Sequence, residues 1–248
     1  MNKFLSFSKL RILFLFGLLV CLCVFSYGQT FQETVKADTL SKSQAVETIS
    51  PRFRVGAQIG YGCRVGPICR YMATQFGNIP KHRSNVSFGT DISYYLKNDI
   101  GFGIRYNGIY TSTSENYKFP LIGIGKVSKK IGIHHFGAFF GARYFLKQNR
   151  YCIFANAGVG YVGFRDNTSV FNESAKITGS SAAFYGEIGF DFLNTKYVAI
   201  GLQVSLCAGA LGTGTFSIGD RTITEKLDNS LRESLTHIDI SLGFRLYK

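Results

Sequence analysis

The chain of 248 residues contains no tryptophan, two methionines and four prolines. Charged residues make up 17% of it, and Lys and Arg outnumber Asp and Glu by 28 to 15. After residue 28, no apolar run approaches the ~20 residues that a membrane-spanning helix needs. This excludes helical spans from that part of the chain. The scarcity of proline leaves long stretches that can pair as strands.

The N-terminus has the pattern of a secretory signal. Three cations precede an apolar run over residues 12–25, and Ser26-Tyr27-Gly28 provides the small residues of a cleavage site. We therefore predict a cleaved signal peptide over residues 1–28. The alternative is a membrane anchor, for which the apolar run is short. Residues 29–51 are polar and lack a clear period, which predicts a flexible periplasmic leader.

Eight segments alternate apolar and polar residues with the period of two that marks β-strands. They lie at residues 52–63, 86–96, 100–114, 130–146, 151–164, 180–193, 197–211 and 236–247. The connections at 97–99, 147–150 and 194–196 are short. The others are long and rich in Gly, Ser, Thr, Asn and charge, at 65–85, 115–129, 165–179 and 212–235. Residues 52–248 thus predict an all-β, eight-stranded antiparallel up-and-down transmembrane β-barrel.

One face of these strands is apolar, and the other is small, polar and sparsely charged. A soluble up-and-down barrel such as a lipocalin is the alternative, and it would turn the apolar face inward. Here the polar face balances four cations against four anions. They are Arg54, Arg105, Arg143 and Arg245, and Asp91, Glu187, Asp191 and Asp239. Because a buried unpaired charge is costly, this balance predicts a narrow lumen filled by paired charges.

Aromatic residues cluster beside the short turns and the C-terminus. They are Tyr94, Tyr95, Tyr144, Phe145, Tyr151, Phe192, Tyr197 and Tyr247. Amphipathic rings favour the boundary between lipid and water, so this cluster predicts a girdle at one membrane interface.

The signal that ends in Gly-Gln, the eight strands and the closing stretch 243–248 (Gly-Phe-Arg-Leu-Tyr-Lys) resemble small outer-membrane β-barrel proteins of Bacteroidetes. The architecture is similar to the transmembrane domain of OmpA and to OmpX. This resemblance implies a location in the bacterial outer membrane and insertion by the barrel-assembly machinery. The chain also resembles PorT-like barrels, which are linked to type IX secretion. That resemblance implies, as an alternative, an accessory role in a secretion machine.

The long connections are expected to face outward, and half of that rim is basic. Its cations are Arg64, Arg70, Lys81, Arg83, Lys118 and Lys126. They predict contact with outer-membrane lipid and the phosphates of lipopolysaccharide, and the outward segments predict contact with other envelope or secretion proteins. Nucleic acid is not expected, because no stacking aromatics interleave with the cations. The main functional prediction is therefore a structural or interaction role.

A catalytic role is the remaining alternative. The stretch His82-Arg83-Ser84-Asn85 resembles the His-x-Ser-Asn stretch of lipid A deacylases, in which a carboxylate orients the His base and the Ser nucleophile. Here it ends the first long connection, and the nearest acid, Asp91, belongs to the inner face. His134 and His135 point to opposite faces of a strand, which argues against a shared metal. We predict no catalytic residue, cofactor or metal.

Four cysteines follow the signal. Cys63 and Cys69 flank a Gly-Pro turn, and a local disulfide between them is a prediction for an oxidising compartment. Cys152 opens a strand, whereas Cys207 lies ten residues into another, so the two are expected near opposite rims. We interpret both as small packed residues.

Overall fold

The computed structural model describes residues 51–65, 84–119, 123–146, 150–170, 173–193, 195, 197–228 and 232–248. The chain divides into two compact units, Met1–Ile49 and Ser50–Lys248, and all described residues belong to the second. The predicted signal peptide and residues 29–50 of the predicted leader lie outside the described residues, so both stay predictions. In the described part, no helix is long and apolar enough to cross a membrane.

The described residues form eleven strands. They are β1 Phe53–Arg64, β2 Ser84–Tyr95, β3 Ile100–Phe119, β4 Gly123–Leu146, β5 Tyr151–Val170, β6 Glu173–Leu193, β7 Val198–Leu211, β8 Thr213–Ile218, β9 Arg221–Lys226, β10 Glu233–Ser234 and β11 His237–Tyr247.

Eight of these strands close a ring. Each of β1 to β6 pairs antiparallel with the next strand, and β11 pairs with both β7 and β1. Leu242, for example, lies opposite Ile59 on one side and Leu202 on the other. The predicted eight-stranded antiparallel up-and-down barrel is confirmed.

The apolar side chains of the ring point outward. Along β11, Ile238, Ile240, Leu242, Phe244 and Leu246 are exposed, whereas the residues between them are buried inside the barrel. Leu242 is 59% exposed, and the same alternation runs through the neighbouring strands β1 and β2. An outer surface of this kind suits lipid, whereas a soluble barrel would bury it. The fold is therefore a transmembrane β-barrel.

The strands β3 to β6 continue beyond the ring, contrary to the prediction of loops at 115–129 and 165–179. These residues extend two hairpins, and pairing reaches Phe119 with Gly123 and Val170 with Glu173. The predicted loop at 212–235 also contains strands, because β8 pairs with the first residues of β6 and β9 pairs with β8. Six strands, β3 to β6 with β8 and β9, thus project from the ring as an open sheet, which we call the extension.

Candidate functional site: a filled lumen and a basic outer face

Two of the charge pairs in the lumen lie near the short turns. Arg54 bonds to Asp91 at 2.8 Å, and all side-chain atoms of this pair are shielded from solvent. Arg245 pairs with Asp191, whose second oxygen accepts a 2.5 Å hydrogen bond from the Tyr247 hydroxyl. The first pair joins the neighbouring strands β1 and β2, whereas the second joins β11 and β6, which are not directly paired.

Glu187 is the centre of the lumen. Its carboxylate pairs with Arg105 and accepts hydrogen bonds from Tyr185, from Asn156 Nδ2 at 3.0 Å and from Gln203 Nε2 at 2.9 Å. A buried carboxylate needs such donors, because desolvation otherwise disfavours its charged form. The arrangement fixes five side chains from four different strands across the barrel interior.

The other two charges of the predicted lumen set pair with residues outside that set. Arg143 pairs at 3.0 Å with Asp99, in the turn between β2 and β3, and also donates to the Pro51 carbonyl. Asp239 lies 3.4 Å from His237 Nε2 and accepts a 3.2 Å hydrogen bond from Asn107. All eight predicted members are buried inside the ring, but Asp99 completes the set and sequence reasoning did not include it.

Each arginine of the predicted set also lies over an aromatic ring. Arg54 and Arg245 lie 4.5 and 4.8 Å from the Phe154 ring centroid, and Arg105 lies 4.5 Å from that of Tyr185. Cation–π contact of this kind satisfies part of a guanidinium without a hydrogen bond. The same arginines keep buried nitrogens that have no hydrogen-bond partner among the described residues, so the ring contacts add to their ion pairs. The inward position of these rings in the alternating pattern is a signal that sequence reasoning missed.

Part of the predicted aromatic girdle is wrong. Tyr95 and Tyr247 are buried in the lumen, where both rings lie near the Arg143 guanidinium, at 3.9 and 6.0 Å. The reason is parity, because alternate strand residues face opposite sides and these two share the inner side with the charges. Tyr94, Tyr144, Phe192 and Tyr197 do lie exposed on the outer surface.

At the hairpin end, the interior contains a large apolar cluster in addition to polar side chains. Its buried cluster comprises Ile109, Ile131, Ile133, Val162, Phe164, Ile177, Ala183, Cys207, Leu211, Phe216, Leu227 and Leu235. Cys152 lies in a separate buried cluster with Leu193, Ala199 and Tyr247. The prediction of a small, polar and sparsely charged inner face is therefore incomplete, because an apolar cluster also lies at the hairpin end.

The prediction that Arg64 is an exposed residue of an outer loop is wrong. It ends β1 on the inner side, is 0% exposed, and pairs with Glu233 at 2.7 Å. It also donates to the Ser234 carbonyl at 2.6 Å and lies over the Phe164 ring. The strand runs one residue further than predicted, and the inward parity of Arg64 buries its charge. A second buried pair, Lys129 with Asp166 at 3.0 Å, was also missed.

The other predicted basic residues have different outcomes. Arg70, Lys81 and Arg83 lie outside the described residues, as does Cys69, so the predicted disulfide with the exposed Cys63 stays a prediction. Lys118 lies within β3, and Lys126 is exposed on β4. Neither belongs to a loop, because both stand on strands of the extension.

The outer face of the extension is basic, and its described side chains include no acid. Its cations are Lys126, Lys130, Arg165, Lys176 and Lys226, all exposed. Around them lie hydroxyl groups, on Ser112, Ser128, Ser174, Thr178, Thr215, Ser217, Thr222 and Thr224. We call this surface the basic face.

Three cations form the centre of the basic face. Lys130 and Lys176 both lie opposite Asn167 on β5, and Arg165 stands two residues before Asn167 on the same strand. Arg165 is therefore a diagonal neighbour of both lysines, at a Cβ separation of ~7–8 Å. None of the three forms an ion pair with a described residue.

His82 and Arg83 of the stretch considered for catalysis lie outside the described residues, so that alternative is not tested as a whole. Ser84 is exposed and makes no side-chain hydrogen bond with a described residue, whereas Asp91 is inside the lumen with Arg54. His134 is exposed on the outside and bonds to the Tyr106 hydroxyl at 2.7 Å, whereas His135 is buried against the Tyr185 ring. The described residues include no group of three or more His, Cys, Asp or Glu that could hold a metal ion.

The fold is similar to solved outer-membrane proteins. A major outer membrane protein from Thermus thermophilus has a TM-score of 0.53 at 8% identity, over 79% of this chain and 98% of that chain. The neisserial surface protein NspA has a TM-score of 0.48 at 14% identity, over 79% and 97%. Ail from Yersinia pestis has a TM-score of 0.45 at 14% identity, over 79% and 98%. No family model and no curated protein sequence matches. At such identities, the likeness concerns the fold.

Proposed function

We propose that the chain is a non-enzymatic integral protein of the bacterial outer membrane. In this role it closes its own lumen and presents the extension to the outer leaflet. The single observation that carries this proposal is the continuous apolar outer surface of a closed ring with charges inside. Lipid is the solvent that stabilises such a surface, and closed barrels are the β-structures that cross lipid. The long-hairpin end then faces the cell exterior.

The filled interior supports a role other than solute passage. An eight-stranded barrel is only wide enough for its own inward side chains. Here the turn end holds Arg54, Asp91, Asp191 and Arg245, and the hairpin end holds the aliphatic cluster. Water and ions would have to cross both layers. We therefore propose a structural and interaction role rather than that of a porin.

The basic face supports lipopolysaccharide as the partner. Arg165 stands four residues beyond Tyr161, which is exposed on the outer surface. The distance along the strand is ~13 Å, which places Arg165 at the level where head groups follow the acyl chains. Like charges on neighbouring strands repel, so Lys130, Arg165 and Lys176 together are stabilised by a bound anion. The phosphates of lipopolysaccharide supply that charge, and the surrounding hydroxyl groups suit its sugars.

Lipid that copurifies with the protein tests the proposal. The protein is purified from outer membranes in mild detergent, and bound lipopolysaccharide is measured per barrel. A triple variant with Gln at Lys130, Arg165 and Lys176 should lose bound lipopolysaccharide several-fold. A control with Gln at the exposed Lys97, Arg150 and Lys248, at the opposite end, should not. Equal lipopolysaccharide in both variants would contradict the assigned partner, and recovery in the carbonate-soluble fraction would contradict membrane insertion.

A further inference from the structure

The strand β9 is an exposed edge of the extension. Among the described residues it pairs only with β8, and all six of its side chains are exposed. An edge strand offers unpaired backbone N–H and C=O groups to another strand. The sequence of β9, Arg-Thr-Ile-Thr-Glu-Lys, contains no proline that would block such pairing.

The hairpin turn determines which backbone groups of β9 are available. Ile218 lies opposite Arg221 across the two-residue turn Gly219-Asp220, and Gly219 has φ of 56°. Residues that flank a two-residue turn exchange backbone hydrogen bonds, and bonded and unbonded positions then alternate along the pair. The backbone groups of Thr222 and Thr224 consequently point to the open edge.

A second copy of β9 fits this edge in one antiparallel register, centred on Ile223. Arg221 then lies opposite Glu225 of the second copy, Thr222 opposite Thr224, and Ile223 opposite Ile223. The two threonine pairs align the available backbone groups for four hydrogen bonds. The isoleucine and the two Arg–Glu pairs fall at the unbonded positions, where opposite side chains are closest. A shift by one residue would place Arg221 opposite Lys226 and lose this complementarity.

The symmetry of the contact determines where the second copy sits. The two-fold axis of an antiparallel strand pair is perpendicular to the sheet, and the extension continues the barrel wall. The rotation therefore points the two barrels in opposite directions. We propose that β9 pairs with β9 of a second copy in a facing membrane, which makes the extension a self-recognition surface between membranes. One short strand pair is weak in water, so many copies must act together across the gap.

Vesicle clustering by charge variants tests this pairing. Wild-type protein is inserted into phosphatidylcholine vesicles, and particle size is followed by light scattering. Glu225→Arg alone and Arg221→Glu alone each place like charges opposite one another, so each should abolish clustering. Mixing the two vesicle populations restores both Arg–Glu pairs and should restore clustering. Recovery in the mixture also shows that both variants are folded.

Cross-linking gives an independent readout. In a background with Ala at both Cys63 and Cys69, Ile223→Cys should form a disulfide between copies, whereas Ile218→Cys, also exposed on the hairpin, should not. Clustering by either charge variant alone, no clustering by the mixture, or equal cross-linking at both positions would overturn the proposal. A variant that does not cluster vesicles but still copurifies with lipopolysaccharide would show that self-pairing and the proposed lipid contact are separate properties.

Discussion

The ring and the extension share four strands but differ in the side chains on their outer and inner faces. On β4, Phe140 and Phe136 point outward in the ring, whereas Lys130 and Lys126 point outward in the extension. The inner side changes from the charged Arg143 to the aliphatic Ile131 over the same strand. The period of two is constant, so the backbone stays extended throughout. What changes is the solvent outside, from lipid to water and head groups, and the side chains change with it.

The interiors of the ring and of the extension also differ in the contacts that stabilise them. In the ring, ion pairs and cation–π contacts connect strands that are far apart in sequence, because the apolar face is given to lipid. At the hairpin end, apolar side chains from the extension and from β7 pack on one another beside the buried Lys129–Asp166 pair. Each region is stabilised by the contacts that its surroundings leave available.

Substitutions of the charges in the ring interior are expected to lower the free energy of unfolding most. Arg105→Met leaves the buried Glu187 without its cation and should lower the free energy of unfolding by about 3–5 kcal/mol. Urea unfolding in detergent micelles, followed by the gel mobility of the folded barrel, measures this change. The double variant Arg105→Met, Glu187→Gln removes the stranded charge and should recover part of the loss. A cost below about 1 kcal/mol for the single variant would contradict a buried ion pair.

A charge placed on the outer surface distinguishes the regions most sharply. Leu242→Arg, at the middle of the lipid-facing part of β11, should cost about 2–4 kcal/mol. Ser174→Arg, exposed on the outer face of the extension and opposite Ser169, should change the free energy of unfolding by no more than about 0.5 kcal/mol. The measurement is unfolding in lipid vesicles. Equal costs at the two positions would remove the distinction between lipid-facing and water-facing surfaces.

Substitutions of two cysteines are expected to change the free energy of unfolding least. Cys207→Ala deletes a sulfur from the aliphatic cluster and should cost about 1 kcal/mol, because it leaves a small void. In the presence of a reductant, which keeps Cys63 and Cys69 unpaired, Cys63→Ala at its exposed position should cost nothing measurable. Both values come from the same unfolding experiment. A larger loss at Cys63 than at Cys207 would be inconsistent with the burial of the two side chains.

The sequence predicted the ring and its two faces, because alternation and a sparse, balanced set of charges are properties of single strands. It did not predict the extension, since Gly, Ser, Thr and charge in residues 115–129 resemble a loop when the surrounding solvent is unknown. It also misplaced Arg64, because one residue of strand length decides its burial. The pairing of Arg143 with Asp99 depends on how a turn meets a distant strand, which no single-strand pattern contains.

Two predictions from resemblance are still untested. The likeness to Bacteroidetes barrels and the PorT-like secretion role rest on the signal, the closing stretch and the leader. Export assays after deletion of residues 30–50 address the secretion role, which predicts lost export. A purely structural barrel predicts no change in export.

Spin-label accessibility reports which solvent each outer position meets, so it measures whether the apolar surface of the ring faces lipid. Single nitroxide labels at Leu242 and at Lys130 are compared in lipid vesicles for relaxation by oxygen and by a water-soluble nickel complex. The label at Leu242 should respond to oxygen and not to nickel, and the label at Lys130 should respond to nickel. A label at Leu242 as accessible to nickel as the one at Lys130 would contradict a lipid-facing outer surface.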